Sequence, residues 1–249
     1  NIWGREEDMD VVSWPSGAVV CNCTGATRGR LTQAISSGCE SIACLSAETR
    51  AASVCGSCKP LLAELLGEDM QVDPVRSWHS LLAMSVFSLG LVALFIIIWP
   101  IPYPESVQVP VRWDDLWRST LLKQISGFSM LGLMLVGLGI SLRKRIRRIE
   151  FGDFNVWRYL HVVIGICVLA VLIVHTGFRL GDELNSILMV NFLLLVIAGS
   201  YASTIVATEH RLSPALAKKK RRQWTWLHIL LFWPFPALLC AHVVKSYYF

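Results

Sequence analysis

The chain has 249 residues, 54% of them hydrophobic and 16% charged, with a mean hydropathy of +0.51. These values exclude intrinsic disorder and fit an ordinary soluble domain poorly. Charge is unevenly divided: residues 1–75 carry 5 Lys/Arg against 10 Asp/Glu, and residues 76–249 carry 18 against 8.

The basic excess belongs to the apolar part, so membrane flanks explain it and a nucleic-acid partner is not expected. No basic-then-apolar signal segment precedes the first domain, and the start at Asn1 reads as processed or truncated. Neither GxGxxG nor GxxxxGK[ST] occurs, so no flavin, nicotinamide or nucleotide site is expected within the chain.

Residues 1–16 are acidic, end in Trp14-Pro15-Ser16 and read as an arm or linker. Residues 17–70 read as a small polar domain rich in cysteine, with helical stretches near 28–37 and 59–67. Residues 71–249 read as a membrane domain. Five apolar runs, near 79–99, 122–142, 158–176, 186–206 and 226–246, reach the roughly 20 residues that a helical span requires. Pro100, Pro102 and Pro104 end the first, and Trp113 and Trp117 suit a following segment on the membrane surface. The fold class expected is mainly α, a small helical domain followed by a five-helix transmembrane bundle.

Orientation follows from the loops. Arg143, Lys144, Arg145, Arg147, Arg148 and Arg158 flank one loop, and Arg211, Lys218, Lys219, Lys220, Arg221 and Arg222 another on the same side, 12 cations in all. The opposite side has 5: Arg112, Arg118, Lys123, Arg179 and Lys245. The positive-inside rule then puts the cysteine domain in the cytoplasm and the C-terminus outside, in a cell inner membrane.

Four of the eight cysteines make the spacing C-x-C-x31-C-x2-C: Cys21, Cys23, Cys55 and Cys58. Thiolates suit iron and zinc alike, so ligand type leaves an iron–sulfur cluster and a structural zinc both open. A cytoplasmic location argues against disulfides. The segments CNCTGATRGRLTQAI, SSGCESIAC and ETRAASVCGSCKPLLAELL resemble the bacterioferritin-associated-ferredoxin-like [2Fe-2S] domain, in the version embedded in nitrite reductase large subunits. The resemblance covers about residues 19–67 and implies that these four cysteines bind a [2Fe-2S] cluster. Gly-containing turns and a helix beginning after Cys58 suit an anionic cluster. Cys39, Cys44, Cys167 and Cys240 lack ligand spacing and are expected to be buried small hydrophobes.

Four of the six histidines form a second pattern. His161 and His175 in the third apolar run, and His228 and His242 in the fifth, are each 14 residues apart. Fourteen residues make nearly four turns, so each pair shares a helix face, about 21 Å apart along the axis. The two helices run parallel, so His161 pairs with His228 near the inner side and His175 with His242 near the outer side. Two bis-imidazole sites at two depths suit two b-type haems. Gly165 leaves room beside His161, and Pro234 and Pro236 should bend the fifth helix.

This arrangement resembles the ferric-reductase-like transmembrane family and, more distantly, respiratory cytochromes b. The usual ferric reductase adds a C-terminal flavin and nicotinamide module, whereas this sequence ends at Phe249. The electron donor is therefore expected to be a cytoplasmic flavoprotein or reductase subunit in a larger complex. His79 reads as an interfacial anchor or a neighbour of the inner haem or a quinone headgroup. His210 reads as solvated. Arg158 and Arg179 are candidate partners of inner and outer haem propionates.

Three functions compete. One is an electron-transfer protein of the membrane, passing electrons from the cluster through both haems to an outer-face or quinone acceptor. Another is a quinol-oxidising cytochrome b delivering electrons inward, and a third a zinc-stapled scaffold or transporter. No acid, base or nucleophile stands out for a catalytic role.

Overall fold

The computed structural model describes residues 10–68, 75, 77–98, 115–145 and 153–248. Pro100, Pro102, Pro104, Arg112, Trp113, Arg147 and Arg148, which carried expectations, lie outside them. The chain divides into two compact units: Asn1–His79 with Arg143–Trp157 and Ile205–Gln223, and Ser80–Leu142 with Arg158–Thr204 and Trp224–Phe249.

The first unit contains the cysteine domain. Strands β1 (Val19–Cys21) and β2 (Ala26–Thr27) pair antiparallel. Gly25 lies in their connection at φ +72°, and its N–H bonds the Cys21 carbonyl at 2.8 Å. Thr27 then caps α1 (Arg28–Ser36), its hydroxyl accepting from the Arg30 N–H. Ser41 caps α2 (Ile42–Thr49) in the same way through Cys44. Helix α3 (Lys59–Leu65) has Pro60 in its first turn, where a missing N–H costs nothing. Leu31, Leu45, Leu61, Leu62, Val11, Trp14 and Val20 form the core.

Three expectations change here. Helix α2 was not anticipated. Val11 and Trp14, in the presumed arm, are 0% and 2% exposed and belong to the core. Cys39 and Cys44 are joined as a disulfide rather than being separate buried thiols, against the absence of disulfides expected of a cytoplasmic domain. They lie five residues apart with α carbons 5.4 Å from each other, inside the range a disulfide spans.

Among the described residues, five helical stretches are long and apolar enough to cross a membrane: Trp78–Ile97, Thr120–Arg143, Phe154–Thr176, Glu183–Arg211 and Pro214–Tyr247. They comprise α4 (Trp78–Ile97), α6 (Thr120–Gly137) with α7 (Gly139–Arg145), α8 (Phe154–Thr176), α9 (Glu183–Thr208), and α10 (Pro214–Phe232) with α11 (Phe235–Tyr248). A short α5 (Asp115–Arg118) precedes α6. The fifth span breaks between Phe232 and Phe235, at Trp233 and Pro234, as a proline without an N–H requires.

The second unit packs Val92, Phe95, Met130, Val168, Leu169, Phe192, Leu193 and Phe235 together. Two of its buried hydroxyls bond their own helices, Ser85 to the Leu81 carbonyl and Ser126 to that of Leu122. Outward it presents Phe87, Ile96, Leu135, Leu230 and Trp233, each more than half exposed. So much exposed apolar surface is unsuited to water and matches lipid contact. Cys167 and Cys240 are also exposed, not buried as expected. Leu62→Ala, at a fully buried position of the first unit, is expected to cost about 2–5 kcal/mol. A lowered urea midpoint for that unit would register the loss.

Candidate functional site

The four spaced cysteines meet at one end of the small domain. Cys21 closes β1, Cys23 follows in the hairpin turn, Cys55 begins a turn through Gly56 at φ +69°, and Cys58 occupies the cap position of α3. Cys21 and Cys58 are buried, while Cys23 is exposed and Cys55 half-buried. The thiols fall into two pairs. Cys23 Sγ donates to Cys55 Sγ at 3.4 Å, and Cys58 bonds Cys21. Among the described residues no three His, Cys, Asp or Glu side chains surround one ion position. Two thiol pairs are instead the count that two irons need.

The pairing polarises the thiols. The Cys58 thiol beside Cys21 holds it down to about 5 against desolvation, and the same bond pushes Cys58 up. Cys55 is held down to about 4, first by the Cys23 thiol and then, against desolvation, by Ser57. Ser57 Oγ stands 2.9 Å from Cys55 Sγ. The Arg221 charge adds a smaller contribution. Thiolates are the metal-binding form, so the donor set fits a cluster.

In the second unit the four spaced histidines were expected in two pairs. His161 and His228 face each other with ring centroids 6.3 Å apart and planes at 84°. Two facing imidazoles of this kind would offer one nitrogen each to a metal held between them. His175 and His242 both line a cavity of about 710 Å³, walled by Met130, Met189, Phe192 and Phe235. Arg118, Lys123 and Arg179 also line it.

All four rings are held through Nδ1. His161 donates to the Gly137 carbonyl at 2.9 Å and His228 to the Leu195 carbonyl at 3.1 Å. Carbonyls only accept, so these nitrogens carry the proton and each Nε2 keeps a lone pair. Gly137 is the last residue of α6, where carbonyls have no partner within the helix. His242 Nδ1 meets Asn185 Oδ1 and His175 Nδ1 meets Ser126 Oγ, both at 2.8 Å. The Ser126 hydroxyl proton is directed to the Leu122 carbonyl, so its oxygen accepts. A ring held through Nδ1 is how metal-binding histidines are commonly oriented.

Glycines make room for these rings. A Cβ on Gly199 would meet His228 at 3.0 Å, and one on Gly127 would meet His175 at 3.5 Å. Gly199 stands one turn after Leu195, so its missing side chain lets His228 reach that carbonyl. A Cβ on Gly165 would meet nothing within 4 Å, leaving open space there. Trp117 Nε1, on a residue that lines this cavity, is buried with no partner. An orphaned donor, nearby cations and apolar walls together suit a flat apolar group bearing anionic substituents.

Other expected residues lie elsewhere. Arg179 is exposed at the cavity, and Arg158 is half-buried in the same unit. His79 stacks on Trp78 at 3.6 Å in the first unit, outside both histidine pairs. His210, expected in solvent, is half-buried with its ring 5.1 Å from Trp78. Ser126, Asn185 and Gly199 were missed. The only cue to Asn185 was a polar residue opening an apolar run.

Residues 19–68 match the BFD-like [2Fe-2S] binding domain. The nitrite reductase (NADH) large subunit of Escherichia coli (strain K12) is 41% identical over 56 residues, 22% of this chain and 7% of that protein. The nitrite reductase [NAD(P)H] large subunit of Klebsiella oxytoca is 32% identical over 62 residues, 25% of this chain and 6% of that one. The chain thus spans under a tenth of the length of these relatives. No solved structure matches it. This chain therefore carries a small iron–sulfur domain of the BFD-like type together with five helices suited to a membrane. In metal-free protein, Cys55 is expected to alkylate at pH 6 nearly as fast as at pH 8, because its thiolate persists above about 4. A rate falling tenfold per pH unit below 8 would contradict this.

Proposed function

We propose that this chain is a membrane electron-transfer protein or subunit linking a cytoplasmic [2Fe-2S] cluster to two b haems. Cys21, Cys23, Cys55 and Cys58 hold the cluster, His161 and His228 the inner haem, and His175 and His242 the outer one. The observation carrying this reading is the set of four histidines on the apolar spans, each with its Nδ1 tied to a fixed partner. The 6.3 Å ring separation of the inner pair supports it. When bound, these groups supply one-electron transfer.

The protein's own work is positional. Its turns present four thiolates, its helices aim four imidazoles, and its apolar walls exclude water. The outer cavity's Arg118, Lys123, Arg179 and Trp117 suit haem propionates, and Arg158 is the corresponding candidate on the inner side. The basic segments Arg143–Trp157 and Ile205–Gln223 belong to the same unit as the cysteine domain, which supports a shared cytoplasmic side. Electrons enter from a cytoplasmic flavoprotein or reductase partner and leave to a quinone or an outer-face acceptor. The similarity to nitrite reductase large subunits favours one further reading, quinol oxidation with electrons delivered inward. A cluster potential far below both haems would rule that reading out.

A reduced-minus-oxidised spectrum of the purified chain should show b-type bands at two haems per chain. His161→Ala and His175→Ala should each lower that to one. Colourless protein containing zinc would replace this reading with a scaffold or transporter. Gly199→Val should also remove one haem, by driving a side chain into His228, and intact haem content would refute its assigned place.

A further inference from the structure

The run of cations at 218–222 has a sufficient explanation in membrane topology, yet two of its members do more than flank a span. Lys218 is 3% exposed. Its ammonium donates to the Val19 carbonyl and stands 4.2 Å from the Trp14 ring centroid. A buried ammonium needs such compensation, and a carbonyl with an aromatic face provides it. Ala215, from the same turns of α10, belongs to the cysteine domain's core. The start of α10 is therefore built into the first unit.

Arg221 lies one turn further along. Its Nη1 pairs with Glu209 Oε2 at 2.5 Å, and the two side chains are only 17% and 14% exposed. Its Nη2 points to the Ser57 carbonyl at 3.4 Å. Ser57 sits between Cys55 and Cys58, inside the loop that carries two of the four thiols. At that length the hydrogen bond is weak, since such bonds fade beyond about 3.2 Å. Charge is different, because it falls only with the inverse of distance and is screened less where the groups are largely buried. The guanidinium thus places a positive charge beside the loop that carries Cys55 and Cys58. Neither Glu209 nor Arg221 lies within the 19–68 match, so this contribution comes from outside the BFD-like domain.

We propose that the Arg221–Glu209 pair is a positioning and electrostatic element of the iron–sulfur site, which sets the reduction potential of the cluster held by the Cys55–Cys58 loop. The inference rests on the cluster reading above. Reduction adds one negative charge to the cluster. Arg221 stabilises that charge and Glu209 opposes it, so the pair holds the potential between two extremes. A purely structural clamp would not shift the potential in opposite directions when its two ends are neutralised one at a time.

An EPR-monitored redox titration of the full-length chain tests this, following the signal of the reduced cluster in wild type, Arg221→Gln, Glu209→Gln and the double variant. Arg221→Gln should lower the midpoint potential, Glu209→Gln should raise it, and the double variant should fall between them. The single-variant shifts should shrink as ionic strength rises. If Arg221→Gln fails to retain the cluster, Arg221→Lys keeps the charge, and its potential should stay near wild type while Glu209→Gln still moves. Full cluster content with both potentials unmoved, or moved in the same direction, would overturn the proposal alone. A wild-type chain with no such signal and with bound zinc would overturn the cluster reading beneath it.

Discussion

A neutral imidazole has one N–H and one lone pair, and an apolar helix bundle offers no water for either. That constraint organises the second unit. Each of the four spaced histidines gives its N–H to a fixed acceptor. The acceptors differ, but each is available for a local reason. The Gly137 carbonyl is free because α6 ends there, and the Leu195 carbonyl is reachable because Gly199 has no side chain. Ser126 turns its own proton back to its helix, and Asn185 stands at the start of α9. What this fixes is the orientation of each ring, the way histidines that bind metals are commonly held.

The first unit meets the opposite demand, holding negative charge without losing its fold. A single hairpin and two tight turns bring four thiols together, and hydrogen bonds between them divide the charge so that two are thiolates and two are donors. Its core is small, and Val11, Trp14 and Ala215 extend it from outside the matched domain. Small cores gain most from such additions, since little apolar surface is otherwise available. The Cys39–Cys44 link adds a covalent restraint within the matched domain itself.

Much of this was legible in the linear order of residues. Cys21, Cys23, Cys55 and Cys58 are recognisable because ligands on tight turns keep short, fixed spacings. Five apolar runs are recognisable because bilayer thickness sets helix length. The break at Pro234 follows from a missing N–H. Other features were not legible. Helix α2 is short and only weakly periodic, so nothing separated it from a loop. His210 carries the composition of a solvated loop residue, yet Trp78 lies against it. Lys218 reads as a membrane-flank cation, and only folding puts Trp14 and the Val19 carbonyl beside it.

By itself the sequence determined the parts: thiols in ligand spacing, imidazoles fourteen residues apart on apolar helices, and a charge division between head and membrane domain. These depend on local geometry, on 3.6 residues per turn and on the apolar length of a span, all of which are written along the chain. Only the tertiary structure decided which nitrogen of each histidine is held, which glycine makes room for a ring, and which arginine reaches the cysteine loop. Those outcomes depend on carbonyls, hydroxyls and charges contributed by residues 24 to 164 positions away, whose approach no local pattern records.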